Sequence, residues 1–291
     1  SFTPAQAQVG SILRVAASFT DGFGTVETLN STATGVVGDN FVGGATTFTG
    51  TEGDDIALGA QSNLGLGGND TMNGRGGNDR LDGRSGNDVI TGGTGNDTII
   101  GGAGTDTAVY AGSSRNFTLN SNGGTITVTD NTGAEGVDTL TGIETLRFNG
   151  ANHTLANGTA AANTVNGGAG SEVIFAQAGN DSINGGAGND VIYAGDGVDR
   201  ITQASATGGR DFVDGGAGED TFIVTSDITT TENFVIYTRE AALVALSELT
   251  LNANTEIVIT RNGNVMAELD NIEEITVSTL QVTSPDGANG G

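Results

Sequence analysis

Apolar residues along the middle of this chain recur with a period that is neither the ~3.6 residues of a helix nor the ~2 of a strand. From Gly65 to Val109 five nonapeptides follow one another without a slip: GLGGNDTMN, GRGGNDRLD, GRSGNDVIT, GGTGNDTII and GGAGTDTAV. Position eight is apolar in each (Met72, Leu81, Ile90, Ile99, Ala108), positions one and four are Gly, and position six is Asp. The period returns from Gly167 to Ile223. A repeat of this length sets the architecture before any local propensity does. The last three residues of a unit are too few for a helix and suit a brief strand, and the first six predict a turn. Two units close one coil, with a strand on each side and the position-eight side chains meeting inside. Coils stack at the spacing of neighbouring strands, about 4.8 Å, and several must stack before the core is covered. The expected chain is mostly β: two parallel β-roll (solenoid) blocks with small antiparallel β or α+β caps.

The remaining segments divide around these blocks. Residues 1–40 carry a hairpin signal, Ile12–Thr20 and Thr25–Thr34 around Asp21-Gly22-Phe23-Gly24. It reads as the last hairpin of an immunoglobulin-like domain or as a cap on the first coil. The first roll spans 41–109 and includes an early unit, Gly50–Leu58, with Asp55 at position six; Gly59–Leu64 then break the register. Residues 110–157 interrupt the repeats. There Phe117–Asn120 and Thr125–Asp130 flank Ser121–Gly124, and Leu140, Ile143, Leu146 and Phe148 offer a core, so antiparallel strands are expected to close the first roll. The second roll, 158–223, opens with units carrying Asn163 and Glu172 at position six, and a three-residue insertion, Gln203–Ser205, precedes the unit of Asp211. Residues 224–277 predict a small α+β cap. Its parts are a helix over Thr238–Leu249 with Thr238 as N-cap and Glu240 in the first turn, a hairpin of Glu256–Thr260 and Val265–Leu269, and a strand over Ile272–Val277. Residues 278–291 are expected to form a flexible tail.

Fifty glycines would suggest low complexity in an aperiodic chain, but their strict spacing argues for ordered turns. Gly removes the steric cost of φ > 0, and such turns aim main-chain carbonyls toward one point. An Asp at a fixed place adds a carboxylate, so each loop offers only hard oxygen ligands. That favours Ca2+, which takes about six to eight oxygens, over Mg2+, which keeps its waters. Zinc and copper want His or Cys, and the chain has one His and no Cys. The candidate metal ligands are the carboxylates of Asp55, Asp70, Asp79, Asp88, Asp97, Asp106, Asp181, Asp190, Asp199, Asp211 and Asp220. With them stand the turn glycines Gly68, Gly77, Gly86, Gly95, Gly104, Gly179, Gly188, Gly197 and Gly218. Units alternate sides, so Asp70, Asp88 and Asp106 are expected along one edge of the first block, and Asp79 and Asp97 along the other. Carboxylates about 5 Å apart repel by roughly 1–3 kcal/mol per pair. Cations between stacked loops reverse this, so the blocks are expected to be largely unfolded without calcium. One ion per pair of stacked loops, less the degenerate ones, gives about six to nine ions. Asn163, Glu172 and the loop after the insertion depart from the pattern.

GGTGNDTII and GGAGNDVIY resemble the repeat of RTX (repeats-in-toxin) proteins, the calcium-binding β-roll carried by many secreted bacterial proteins. The resemblance covers about half the chain. It implies a right-handed parallel β-roll, several bound Ca2+ ions, the type I secretion machinery as a partner, and a secreted, extracellular or cell-surface location. It also implies folding triggered by calcium outside the cell. The flank ANTEIVITRNGNVMAELDNIEEITV and the N-terminal hairpin are similar to the C-terminal regions of large secreted RTX haem peroxidases. That likeness implies parent-protein domains upstream, with this piece as their export and folding module.

The net charge of −25, from 35 acids against ten bases that are all Arg, argues against nucleic acid as a partner. Without Cys, calcium rather than disulfides is the expected staple. No apolar run is long enough to span a membrane. The chain starts at Ser1 with no signal-peptide pattern and reads as a fragment of a longer protein or a processed piece. There is no His-Glu-x-x-His and no Gly-x-Ser-x-Gly. His153 is expected at the surface or in a cap rather than as a catalytic base, and no His has the context of a haem ligand. The regular period of the acids makes them ligands rather than an acid–base couple, so the chain is read as non-enzymatic. Two other classes use the same solenoid: an adhesin or surface-layer segment with the roll as a spacer, and an ice-binding protein. Ice binding needs a flat ladder of Thr or Asn. The residues flanking position eight are mixed instead, as in Arg80 and Asp82 or Thr98 and Ile100.

Overall fold

Strands two units apart pair in parallel, in register. In the computed structural model Thr71–Gly76 lies beside Val89–Thr94 with Met72 opposite Ile90. Arg80–Ser85 lies beside Thr98–Ala103 with Leu81 opposite Ile99. Both strands of each pair enter from the same kind of turn, so the pairing is parallel. Met72, Leu81, Ile90, Ile99 and Ala108 are at most 2% exposed and form the core of the first block. Each of these four strands is longer than the three residues expected. It runs six residues, from position seven to position three of the next unit, with a left-handed residue inside it such as Arg75 (φ 74°) or Gly93 (φ 113°). The turn is correspondingly tighter than six residues.

The structure describes residues 68–204, 209–226, 234–246, 251–252 and 254–279, and the backbone of five earlier strands. Those are Ala16–Thr20, Val26–Asn30, Asn40–Val42, Thr47–Thr49 and Ile56–Leu58. Asp55, the register break at 59–64 and residues 280–291 lie outside the described residues. Ala16–Thr20 pairs antiparallel with Val26–Asn30, Thr20 opposite Val26, as the Asp-Gly signal predicts. Thr47–Thr49 and Ile56–Leu58 pair in parallel with the strands at Thr71 and Arg80.

Two units divide the chain: Ser1–Ala111 with Phe117–Thr145, and Gly112–Asn116 with Leu146–Gly291. In the first, the closing hairpin of Phe117–Asn122 and Thr125–Asp130 is antiparallel as expected. Its turn is the two-residue Gly123-Gly124, both with φ > 0 (59° and 85°), so the first strand runs on through Ser121 and Asn122. Val137–Thr141 is antiparallel to this hairpin but parallel to Thr98–Ala103, with Leu140 opposite Ile99. Leu140 and Ile143 of this unit are buried, as are Leu146 and Phe148, which belong to the second.

In the second unit, Ile174, Ile192 and Val213 align across Ser171–Phe175, Val191–Asp196 and Asp211–Ala217. Val165, Ile183, Ile201 and Phe222 align across the facing strands. These position-eight residues pack with Ile259, Met266 and Leu269 of the cap. The insertion raises the pairing offset from 18 to 21 residues without changing phase, since Ile201 still faces Phe222. Gln203 within it is buried, and its Nε2 donates to the carbonyl oxygens of Met266 (3.1 Å) and Gly209 (3.3 Å).

The cap carries the expected elements with changed limits. Ile257–Arg261 and Asn264–Asp270 form the hairpin around Asn262-Gly263 (φ 52° and 83°). Glu274–Thr279 pairs in parallel with Thr221–Ser226 and takes in the first two residues of the expected tail. The helix is shorter than predicted, Arg239–Ala245: Thr238 Oγ1 accepts the Ala241 N–H, and the backbone turns extended at Leu246. Residues 247–249 of that prediction lie outside the described residues.

His153 is buried, 3% exposed, which excludes the surface position of the two expected for it. It packs edge-on to Phe148 with ring centroids 5.5 Å apart, and burial pulls its imidazole below the usual range. Among the described residues no helix is long and apolar enough to cross a membrane.

Candidate metal centre

Where position one is Gly, the position-six Asp of the unit folds back over it; Ala176 and Ala194 hold that place in the units of Asp181 and Asp199. A Cβ on Gly74 would stand 2.0 Å from Asp79 Oδ2, on Gly83 2.1 Å from Asp88 Oδ2, and on Gly185 2.5 Å from Asp190 Oδ2. None of these three glycines has a left-handed φ, so in these units the Gly supplies room rather than backbone freedom. Position four needs both: Gly86 has φ 126°, and its Cβ would lie 1.9 Å from the carbonyl oxygen of Gly68.

The two oxygens of each carboxylate have different tasks. One accepts the main-chain N–H of the position-six residue in the preceding coil of the same edge. In the first unit Asp70 N–H donates to Asp88 Oδ1 (2.7 Å), Asp88 N–H to Asp106 Oδ1 (2.8 Å), and Asp79 N–H to Asp97 Oδ1 (2.8 Å). In the second unit Asp181 N–H donates to Asp199 Oδ1 (2.7 Å), and Glu172 N–H to Asp190 Oδ1 (2.9 Å). Across the insertion Asp190 N–H still reaches Asp211 Oδ1 (2.9 Å), and Asp199 N–H reaches Asp220 Oδ1 (2.8 Å). The carboxylates thus stand in columns along the edges that the alternation of units predicts.

The other oxygen is the one available to a ligand. Oδ2 of Asp88, Asp106, Asp181, Asp190, Asp199 and Asp220 is buried and has no hydrogen-bond partner. Beside it lies a main-chain carbonyl of the next coil. The Gly101 oxygen is 2.9 Å from the point where a Gly83 Cβ would stand, the point Asp88 Oδ2 approaches to 2.1 Å. A buried acceptor left unpaired costs about 1–3 kcal/mol, and more when it is charged. Burial, with neighbouring carboxylates adding to it, pushes Asp88 and Asp220 up to about 6, Asp211 to about 7 and Asp190 to about 8. A cation removes both penalties. No three His, Cys, Asp or Glu side chains gather among the described residues. An ion here therefore completes its shell with main-chain carbonyls, and the all-oxygen donor set fits Ca2+. The carbonyls that share a position-one cradle with a carboxylate oxygen, such as those of Gly92 and Gly101, come from position one of the next coil. Those of the position-four glycines Gly68, Gly77, Gly86, Gly179, Gly188 and Gly197 abut the position-four glycine of the next coil.

The departing loops supply local partners instead. Asn163 Nδ2 donates to the carbonyl oxygens of Thr159 (3.0 Å) and Ala161 and to Asp181 Oδ1 (3.3 Å). Glu172 curls into its own turn, where Oε2 accepts the Gly168 N–H at 2.9 Å. Asp211, after the insertion, lies in the field of the Arg115 guanidinium. Arg115 and Arg210 share Oε1 of the fully buried Glu268 at 2.5 and 2.8 Å.

Two features escape the sequence reading. Asp97 N–H donates to Asp138 Oδ1 (2.8 Å), so Asp138 continues a column beyond the repeats. The signal was present: residues 133–141, GAEGVDTLT, are another nonapeptide, displaced by the hairpin. Burial pushes Asp138 up to about 7, and the Tyr110 hydroxyl hydrogen-bonds to it. Position five also builds a ladder: Asn87 N–H donates to Asn69 Oδ1 (2.8 Å), Asn96 N–H to Asn78 Oδ1 (2.8 Å) and Val137 N–H to Asn96 Oδ1 (2.8 Å).

A search of curated proteins returns no match. Among solved structures, the extracellular lipase LipA from Serratia marcescens is similar over 81% of this chain, at 20% identity and a TM-score of 0.31. The chain spans 39% of that protein's length. The family model for the RTX calcium-binding nonapeptide repeat (4 copies) matches residues 64–90, 82–110, 155–183, 166–201 and 203–227. These matches fall on the carboxylate columns of both units, which are therefore built of RTX calcium-binding nonapeptide repeats, and such repeats bind Ca2+ at several of their turns.

Proposed function

We propose that this chain is the calcium-dependent folding module of a larger secreted protein, exported unfolded by a type I machinery and folded in extracellular calcium. The supporting observation is the buried, unpartnered Oδ2 repeated at Asp88, Asp106, Asp181, Asp190, Asp199 and Asp220. Each such oxygen opposes folding until a cation meets it. The turns bring these oxygens and the adjacent carbonyls together only in the coiled state, so the free energy of ion binding is free energy of folding. Where calcium is scarce the columns repel and the chain stays extended. Where calcium is plentiful the same columns become the staple that a chain without Cys otherwise lacks.

The test is far-ultraviolet circular dichroism against calcium, starting from a metal-free sample, with magnesium as control. A cooperative gain of strand signal with calcium alone is expected. Native strand content throughout the titration would overturn the reading.

A further inference from the structure

Both units end one column in the same way, on residues outside the matched repeats. In the first, Gly142-Ile143-Glu144 follows the strand Val137–Thr141; in the second, Asn271-Ile272-Glu273 follows Asn264–Asp270. Gly142 and Asn271 are both left-handed, φ 61° and 49°. The N–H groups of Glu144 and Thr145 converge on the Asp106 carbonyl at 3.2 and 3.0 Å, and those of Glu273 and Glu274 on the Asp220 carbonyl at the same distances. The glutamate then takes the place of a next-coil aspartate. Asp106 N–H donates to Glu144 Oε2 (2.8 Å), and Asp220 N–H to Glu273 Oε2 (2.7 Å).

The cradle is completed too. The Gly142 carbonyl oxygen lies 2.0 Å from the point where a Gly101 Cβ would stand, and Asp106 Oδ2 lies 2.7 Å from it. For Gly215 the corresponding oxygens are Asn271 O at 2.1 Å and Asp220 Oδ2 at 2.8 Å. Asp106 and Asp220 are fully buried, and their Oδ2 atoms have no hydrogen-bond partner. Beyond the last aspartate, a carboxylate and a carbonyl thus recur where the nonapeptides place theirs, on a segment with no nonapeptide in it.

We infer that Glu144 and Glu273 are calcium ligands, each closing a terminal ion site with Asp106 and the Gly142 carbonyl, or with Asp220 and the Asn271 carbonyl. Each unit then holds one ion more than its repeats alone supply. The inference rests on the reading that the turns bind calcium. Glu144 is half-buried and Glu273 exposed, so these two sites are the most open to water and fill last.

The experiment is calcium stoichiometry on the full chain, by calorimetric titration and native mass spectrometry, for the wild type, Glu144→Gln, Glu273→Gln and the double variant. Gln keeps an oxygen for the Asp N–H and loses the charge, so a purely structural end contact survives while an ion site does not. One ion fewer is expected in each single variant and two fewer in the double, with Glu240→Gln on the helix as the unchanged control. The wild-type titration should show two ions binding about tenfold more weakly than the rest. Folded variants with the full complement of ions, or a wild type with one affinity class that no glutamine alters, would overturn the inference. A wild type that takes up no calcium would overturn the underlying functional reading instead.

Discussion

The main-chain N–H of Asp88 donates to Oδ1 of Asp106, eighteen residues along the chain and 2.8 Å away in space. One residue type thereby serves the column twice, as donor through its backbone and as acceptor through its side chain. That leaves Oδ2 for the ion. Asn in the same place keeps the acceptor but puts an amide or a neutral oxygen where the charge belongs. Asp88→Asn is therefore expected to raise the calcium needed for folding and to lower stability in saturating calcium by about 2 kcal/mol. Asp88→Ala also leaves the Asp70 N–H without its acceptor, at about 1–3 kcal/mol more. Denaturant unfolding in calcium orders the three proteins; equal stabilities for Asn and Ala would contradict the two-oxygen division.

Steric room at position one is separable from backbone freedom at position two. Gly83→Ala places a methyl 2.1 Å from Asp88 Oδ2 and 2.9 Å from the Gly101 carbonyl, so that turn must shift and is expected to hold its ion more weakly. Arg75→Gly relieves an exposed residue held at φ 74° and should stabilise the calcium-bound fold by about 0.5 kcal/mol, the relief being partly offset by the entropy of Gly. Thermal melts of the two variants in calcium should move in opposite directions.

Acid should favour the metal-free solenoid. Asp88, Asp220, Asp211 and Asp190 titrate at about 6, 6, 7 and 8 when folded, against an ordinary 3.8. A group raised on folding binds its proton more tightly in the folded state, so its contribution is fully present below about pH 4 and is lost as pH rises to about 8. Calcium competes with those protons, so apparent calcium affinity rises across the same window. Circular dichroism in metal-free buffer should show more strand at pH 5 than at pH 8, and the reverse order would refute this account.

Glu268 is fully buried and lies between Arg115 and Arg210. Its other oxygen accepts the Asn252 N–H at 2.8 Å and the Thr255 hydroxyl at 3.1 Å. Arg115→Met removes one cation from this buried cluster and should destabilise the second unit by about 3 kcal/mol, read by urea unfolding in saturating calcium.

The nonapeptide period made the coil, its core and the two edges legible, because position-eight side chains and like turns can meet in only one phase. The three hairpins were legible from their Gly-containing turns. The hydrogen bonds were not, since which oxygen of Asp106 meets which amide depends on coil closure rather than on the period. Asp138 was hidden because a hairpin separates its nonapeptide from the others. Glu144 and Glu273 were hidden because they do a repeat's work from a segment with another spacing. The burial of His153 was not legible because Phe148, which packs edge-on against it, lies a strand away.

The insertion at Gln203–Ser205 leaves Asp190 bonded to Asp211 and Asp199 to Asp220 as though it were not there. Coil circumference is thus free to vary while the beat of the carboxylates is kept. A scaffold built this way tolerates edits in its wall and resists them at its edge, so a peptide spliced between Gln203 and Gly209 is expected to leave both of these hydrogen bonds in place.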